Sequence, residues 1–261
     1  MASNPPGRCC IVGARHDTDI HRRGEPTGEL INIEPNIQAY LATPPVGKSH
    51  EKVAVLFLPD VFGIWQNSKL VADSFAANGY TCLLLDTFDG DAVPLDKGHS
   101  GTFDFHSWLQ NGSDGQHPHV PAAVDPIVLA GIKNLREMGF KKLGAVGYCF
   151  GAKYVIRNLK EGGIDCGYIA HPSSVEEDEL AAISGPLSIA AAEIDRVFPM
   201  EKRHKSEEIL IKTKQPYQIN LFSSVTHGFA VRGDLSVQIQ RFAKEQAFLQ
   251  AISWFDEYLK I

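Results

Sequence analysis

The sequence predicts an α/β fold, a mostly parallel central sheet with helices on both faces, and three observations carry that prediction. Short apolar runs recur as VAVLFL (53–58), TCLLL (81–85), LGAVGY (143–148), CGYIA (166–170), LSIAAA (187–192) and YQINLF (217–222). Each reads as a strand buried on both faces. Helical patterns fall between the runs, and such alternation is the signature of parallel strands joined by crossover helices. The 261 residues are 44% hydrophobic, enough for one sizeable core. With neither an internal repeat nor an interdomain linker, residues 1–261 read as a single domain.

Residues 1–27 form a polar N-terminal arm whose Cys9 and Cys10 read either as surface thiols or as part of a docking strand. GELINIEPNIQAYLATPP (28–45) reads as an antiparallel edge hairpin. NSKLVADSFAANG (67–79) sets Val71 and Phe75 four apart on one helical face. AVDPIVLAGIKNLREMG (123–139) stacks Val124, Val128, Ile132 and Leu135 in a stripe, with Pro126 near the first turn. From about Ser236 to Leu259 a long amphipathic helix is expected to bury Ile239, Phe242, Leu249, Ile252, Phe255 and Leu259. Residues 88–121 break the rhythm with Gly, Asp, His and Pro around Trp108, and a connection of that length is expected to act as a lid loop.

Composition excludes several classes of function. Lys and Arg number 25 against 31 Asp and Glu, a net charge of −6, and the short basic runs HRR and EKRHK lack interleaved aromatics. No nucleic-acid partner is expected from such a surface. No apolar run approaches the roughly 18 residues of a membrane span. The stretch MASNPPGRCCIVGARHDTD lacks the apolar core of a secretion signal, so the expected setting is cytoplasmic. Five cysteines, Cys9, Cys10, Cys82, Cys149 and Cys166, suit a reduced compartment better than a disulfide framework. No CxxC or HExxH spacing appears, and neither metal nor organic cofactor is expected.

KKLGAVGYCFGAKYVI (141–156) places a cysteine at the bend between a strand and a helix. A nucleophile there stands above the sheet edge, feels the positive end of the helix, and leaves the next amide free to stabilise an oxyanion. Gly147 and Gly151 flank Cys149 at the two positions where the turn is crowded, giving G-x-C-x-G in place of the G-x-S-x-G nucleophile elbow. In the α/β-hydrolase layout an acid follows a later strand and a histidine the next, and here Asp195 and His227 end two successive strands in that order. All three fall on the edge where open α/β sheets build their sites.

LPDVFG (58–63), GYCFGA (147–152), AAAEIDRVFP (190–199) and THGFAVRGD (226–234) together resemble the dienelactone hydrolase family, a cysteine branch of the α/β-hydrolases, and its eukaryotic branch in particular. The resemblance implies Cys149 as nucleophile, His227 as general base and then acid, and Asp195 as its orienter. It places the oxyanion hole at the backbone N–H groups of Val61 and Phe150. It further implies a small ester or lactone substrate, opened through a thioester, with homodimerisation left open. Asp60 stands where the family's bacterial members carry a glutamate that partners the resting thiol. Arg232 lies one residue later than the family's arginine, and residues 82–121 contain none, so an acidic lactone is weakly matched. Phe62, Trp65, Phe88, Trp108, Tyr148 and Phe229 are candidates to line a pocket for a larger, flatter substrate. Two rival readings are a catalytically silent binding protein on this scaffold and a redox sensor in which Cys166 resolves Cys149.

Overall fold

The structure is a computed structural model that describes residues 2–7, 10, 25–97 and 103–260. Among the described residues eight strands form one sheet: β1 (Glu29–Ile33), β2 (Ile37–Ala42), β3 (Val53–Leu58), β4 (Thr81–Leu85), β5 (Lys142–Tyr148), β6 (Cys166–Ala170), β7 (Leu187–Ile194) and β8 (Tyr217–Thr226). The helices are α1 (Gln66–Ala77), α2 (Phe105–Asn111), α3 (Pro121–Glu137), α4 (Phe150–Asn158), α5 (Glu177–Ala181), α6 (Met200–Thr213), α7 (Phe229–Arg232) and α8 (Gln238–Tyr258). The sheet order is β1-β2-β4-β3-β5-β6-β7-β8. The β1–β2 hairpin is antiparallel to itself and to β4, whereas β4 through β8 pair in parallel. This is the mostly parallel sheet that the alternation of runs predicts.

The interior strands owe their place to uninterrupted apolar sequence. Every residue of β3, β4 and β6 is buried, as a strand covered by helices on both faces must be. The two glycines of β5 show which helices cover which face. A Cβ on Gly144 would meet Leu259 and Phe255 at the end of α8, and one on Gly147, three residues on, would meet Ala152 and Val155 of α4. The α3 stripe is as expected, with Val124, Val128, Ile132 and Leu135 all buried.

Two expectations are corrected. β8 lies at the sheet's edge, with no further strand beside it among the described residues, and is only partly covered, Leu221 being exposed. In α8, Ile252, Phe255 and Leu259 are buried but Ile239, Phe242 and Leu249 are exposed. The packed face is instead built on Ala243, Ala247 and Ala251, whose small side chains let the helix lie close to β6, β7 and β8. Residues 88–121, expected as a lid loop, contain α2, capped by Asp104, whose carboxylate accepts the Ser107 amide at 3.0 Å. Trp108 of α2 donates its indole N–H to the carbonyl of Asp91 at 3.0 Å and is buried.

Candidate active site

β5 enters α4 through Cys149, whose φ of 51° and ψ of −108° an L-residue adopts only when its surroundings impose it. Neighbouring backbone supplies that imposition. The Cys149 amide donates to the carbonyl of Ala170 at 3.1 Å, and its own carbonyl accepts the Ser173 amide at 3.0 Å. The small residues of the elbow are required by packing: a Cβ on Gly151 would stand 2.1 Å from the Leu58 carbonyl oxygen. The Gly151 amide also donates to Pro59 at 3.0 Å, tying the loop after β3 to the first turn of α4. That tie brings Val61 and Phe150 to the same rim, and among the described residues neither N–H has an acceptor.

Asp195 follows β7 and His227 follows β8, and the two side chains meet, His227 Nδ1 lying 2.9 Å from an Asp195 carboxylate oxygen with both side chains fully buried. The other Asp195 oxygen accepts the amides of Val197 and Phe198 at 2.8 and 3.0 Å. Nε2 of His227 faces two sulfurs: it lies 3.4 Å from Cys10 Sγ, and these two atoms and Cys149 Sγ all fall within 4.8 Å of one another. Cys149, Asp195 and His227, predicted from strand ends and separated by 46 and 32 positions, are thus brought together.

Electrostatics divide the charge among them. Burial pushes the Cys149 thiol up, but the Cys10 thiol, the His227 imidazolium and Arg232 outweigh it and hold the thiol well below its ordinary value. Burial opposes protonation of His227, yet the Cys149 thiolate and Asp195 raise it above the usual histidine range. For Asp195, burial is likewise overcome by His227 and the two amides, and the carboxyl stays low. These directions together favour a thiolate at Cys149 and an imidazolium at His227, with the Asp195 carboxylate behind the ring.

Cys10 is the residue that sequence reasoning left open. It is fully buried, and the arm that carries it is stitched to the loops after β6 and β7. Ser3 N–H donates to Val175 at 3.0 Å, Asn4 N–H to Val197 at 2.7 Å, and Ser174 N–H to Asn4 at 2.7 Å. The Gly7 amide donates to Cys10 Sγ at 3.3 Å. Cys10 is thus no surface thiol, and it lies in no strand, while Cys9 lies outside the described residues. Cys10, Cys149 and His227 are also, among the described residues, the group whose donor atoms converge closely enough to hold a soft metal ion.

His171 was also missed. It sits at the end of β6, fully buried, its ring 5.0 Å from that of His227, and burial keeps it neutral. Its position at a strand end was the available signal.

The remaining predicted residues divide into four groups. Asp60 is fully buried and forms an ion pair with Arg232 rather than with the thiol; burial pushes its carboxyl up against the pull of that arginine. Phe88 and Trp108 pack with each other at 5.3 Å, and Phe88 lies 4.9 Å from Phe150 beside the elbow. Tyr148 and Phe229 flank His171 at 6.0 and 5.8 Å, while Phe62 pairs with Trp65 at 5.2 Å. Cys166, the expected partner of Cys149 in a redox sensor, does not approach it. Cys166 pairs in register with Gly144, whereas Cys149 lies one position beyond the Tyr148–Ala170 pair, so five residues of chain, roughly 16 Å, separate their levels along the sheet.

An elbow at the C-terminal rim of a parallel sheet, facing a histidine–carboxylate pair from the next strand ends, defines an α/β-hydrolase. The comparisons narrow the class. The profile of the dienelactone hydrolase family matches residues 37–259. The hydrolase pyvD of Aspergillus violaceofuscus is 50% identical over all of both chains. Dienlactone hydrolase 1 of Gibberella moniliformis is 37% identical over 99% of this chain and 96% of its own. A crystal structure of a dienelactone hydrolase from Klebsiella pneumoniae superposes with a TM-score of 0.70 at 14% identity, over 88% of this chain and 98% of that one. The chain belongs to the dienelactone hydrolase family, and is a hydrolase of the ester- and lactone-cleaving type acting on a small molecule. No described helix is long and apolar enough to cross a membrane.

Proposed function

We propose that the chain opens an ester or lactone through a thioester on Cys149. The observation that carries this reading is the buried contact of Cys149 and His227 with Asp195 behind the imidazole. The Cys149 thiolate attacks the carbonyl carbon, and the developing oxyanion accepts the N–H groups of Phe150 and Val61. The tetrahedral species collapses, the C–O bond breaks, and the imidazolium of His227 protonates the leaving alkoxide. His227, now neutral, takes a proton from water, the hydroxide attacks the thioester, and the acid leaves as thiolate and imidazolium re-form. In a lactone both products of the first step are one molecule, so the alkoxide and the thioester carbonyl belong to the same chain.

The pairing of Asp60 with Arg232 favours a substrate without a carboxylate at that end, because the guanidinium is already matched. Phe88, Trp108 and Phe150 would form one wall of the site, on the segment 88–121 expected as a lid. Cys10 lies 3.4 Å from Nε2 of His227, so a substrate reaching that nitrogen would have to displace it. Turnover of an activated aryl ester by the Cys149→Ala variant tests the reading. Loss of activity is expected, and a wild-type rate would refute it.

A further inference from the structure

We propose that Cys10 is the resolving thiol of Cys149, and that peroxide closes a Cys10–Cys149 disulfide which reversibly switches the hydrolase off. The proposal rests on Cys149 being the reactive thiol of the hydrolase, and adds to it a second sulfur that the hydrolytic steps do not use. The two sulfurs come from the arm and from the elbow, 139 positions apart in sequence, yet both are buried against the same imidazole nitrogen. The Cys10 sulfur accepts the Gly7 amide at 3.3 Å, a bond an apolar side chain would forgo, and it faces Nε2 of His227, placed to give that nitrogen a proton once the imidazole has lost its own.

The chemistry balances with hydrogen peroxide as the oxidant. The Cys149 thiolate attacks one peroxide oxygen, the O–O bond breaks, and the hydroxide that leaves takes a proton from the His227 imidazolium as water. Cys149 is then a sulfenic acid. Cys10 gives its proton to Nε2 of His227, 3.4 Å away, and its thiolate attacks the Cys149 sulfur. The S–O bond breaks, the S–S bond forms, and the departing hydroxide takes the proton back from His227 as a second water. Two thiols are oxidised and one peroxide is reduced to water. One imidazole serves both steps because both sulfurs face it.

The disulfide would pin the arm over the nucleophile. The arm is already held by the backbone bonds of Ser3 and Asn4 to the loops that follow β6 and β7, so the link would need only a short approach of two neighbouring sulfurs. Cys82 and Cys166 would take no part. Cys82 is buried in β4 and Cys166 at the far end of β6, and burial pushes both thiols well up.

The full chain is treated with hydrogen peroxide, blocked with iodoacetamide and cut with trypsin, which releases residues 9–15 and 143–153 as separate peptides. The expected product is those two peptides joined, with hydrolysis lost and then restored by dithiothreitol. Cys10→Ser should abolish the join and make the loss irreversible, whereas Cys9→Ser should keep the join. Sulfinic acid at Cys149 with Cys10 still free, or a link that survives Cys10→Ser and vanishes in Cys9→Ser, overturns the inference. Iodoacetamide labelling of the reduced wild type separates the two levels. Fast labelling of Cys149 without a link sinks this inference alone, and slow labelling sinks the hydrolase reading with it.

Discussion

Asp195→Asn is a change of one atom whose effect can be worked out from the site. One Asp195 oxygen receives the amides of Val197 and Phe198 at 2.8 and 3.0 Å, and the other receives His227 Nδ1 at 2.9 Å. An asparagine must keep its oxygen toward the two amides, because an NH2 there would face two donors. Its NH2 then points at His227, which can no longer present Nδ1–H. The imidazole is driven to the tautomer with hydrogen on Nε2, facing the sulfurs, and loses its stabilising carboxylate. Two charges at about 4 Å with an effective dielectric of about 20 attract by about 4 kcal/mol. At about 1.4 kcal/mol per tenfold in rate, kcat should fall by roughly 10²–10³. The fall should come in kcat rather than KM. The Cys149 thiol should also rise, so that its rate of alkylation at neutral pH drops. The assay is steady-state hydrolysis of an aryl ester beside iodoacetamide kinetics. Activity within about threefold of wild type, with an unmoved alkylation profile, would refute the assignment of Asp195.

Three further predictions follow from the same contacts. Gly151→Ala puts a Cβ against the Leu58 carbonyl oxygen, and should cost roughly 2–4 kcal/mol, read as a fall in Tm of about 5–15 °C; an unchanged melt would contradict the elbow packing. Arg232→Met strands the buried Asp60 carboxyl and should cost about 3–5 kcal/mol in urea unfolding, and Asp60→Leu combined with Arg232→Met should recover much of that, whereas additive losses would count against the pair. Alkylation of Cys149 should change little between about pH 8 and about pH 6, where an ordinary thiol slows about 80-fold, because the folded-state thiol is held down. The sign is fixed by that depression: the thiolate persists as pH falls until the folded value is crossed. An ordinary thiol profile would remove the ion pair from the account.

Much of the scaffold was legible in the chain because its signals are local. VAVLFL and TCLLL are apolar on both faces, as interior strands are, and β3 and β4 are both interior, β4 pairing in parallel with β3 and antiparallel with β2. The elbow was legible for a related reason, since a crowded turn restricts its own neighbours, and Gly147 and Gly151 record that restriction in sequence. What failed was decided by distant partners. α8 turns its alanines inward and leaves Phe242 and Leu249 outside, and no periodicity of large side chains could show that a close helix–sheet approach would favour small ones. β8 lies at the edge because of strand order, which its apolar residues do not fix, although Gln218 and Asn220 already interrupt them. Asp60 and Arg232 pair across 172 positions, and Cys10 reaches His227 across 217. Neither leaves a trace in local spacing. Cys166 looked like a resolving thiol because sequence records that it lies in the core but not at which end of its strand it sits relative to Cys149.

The central claim, that the sulfur of Cys149 carries the acyl group, is tested most directly by acid quench of the enzyme during turnover of an activated aryl ester, followed by tryptic mass analysis. The account predicts one acyl group on the peptide 143–153, attached at Cys149 and released by hydroxylamine. Continued turnover with that peptide unmodified, or an acyl group on another residue, would contradict it.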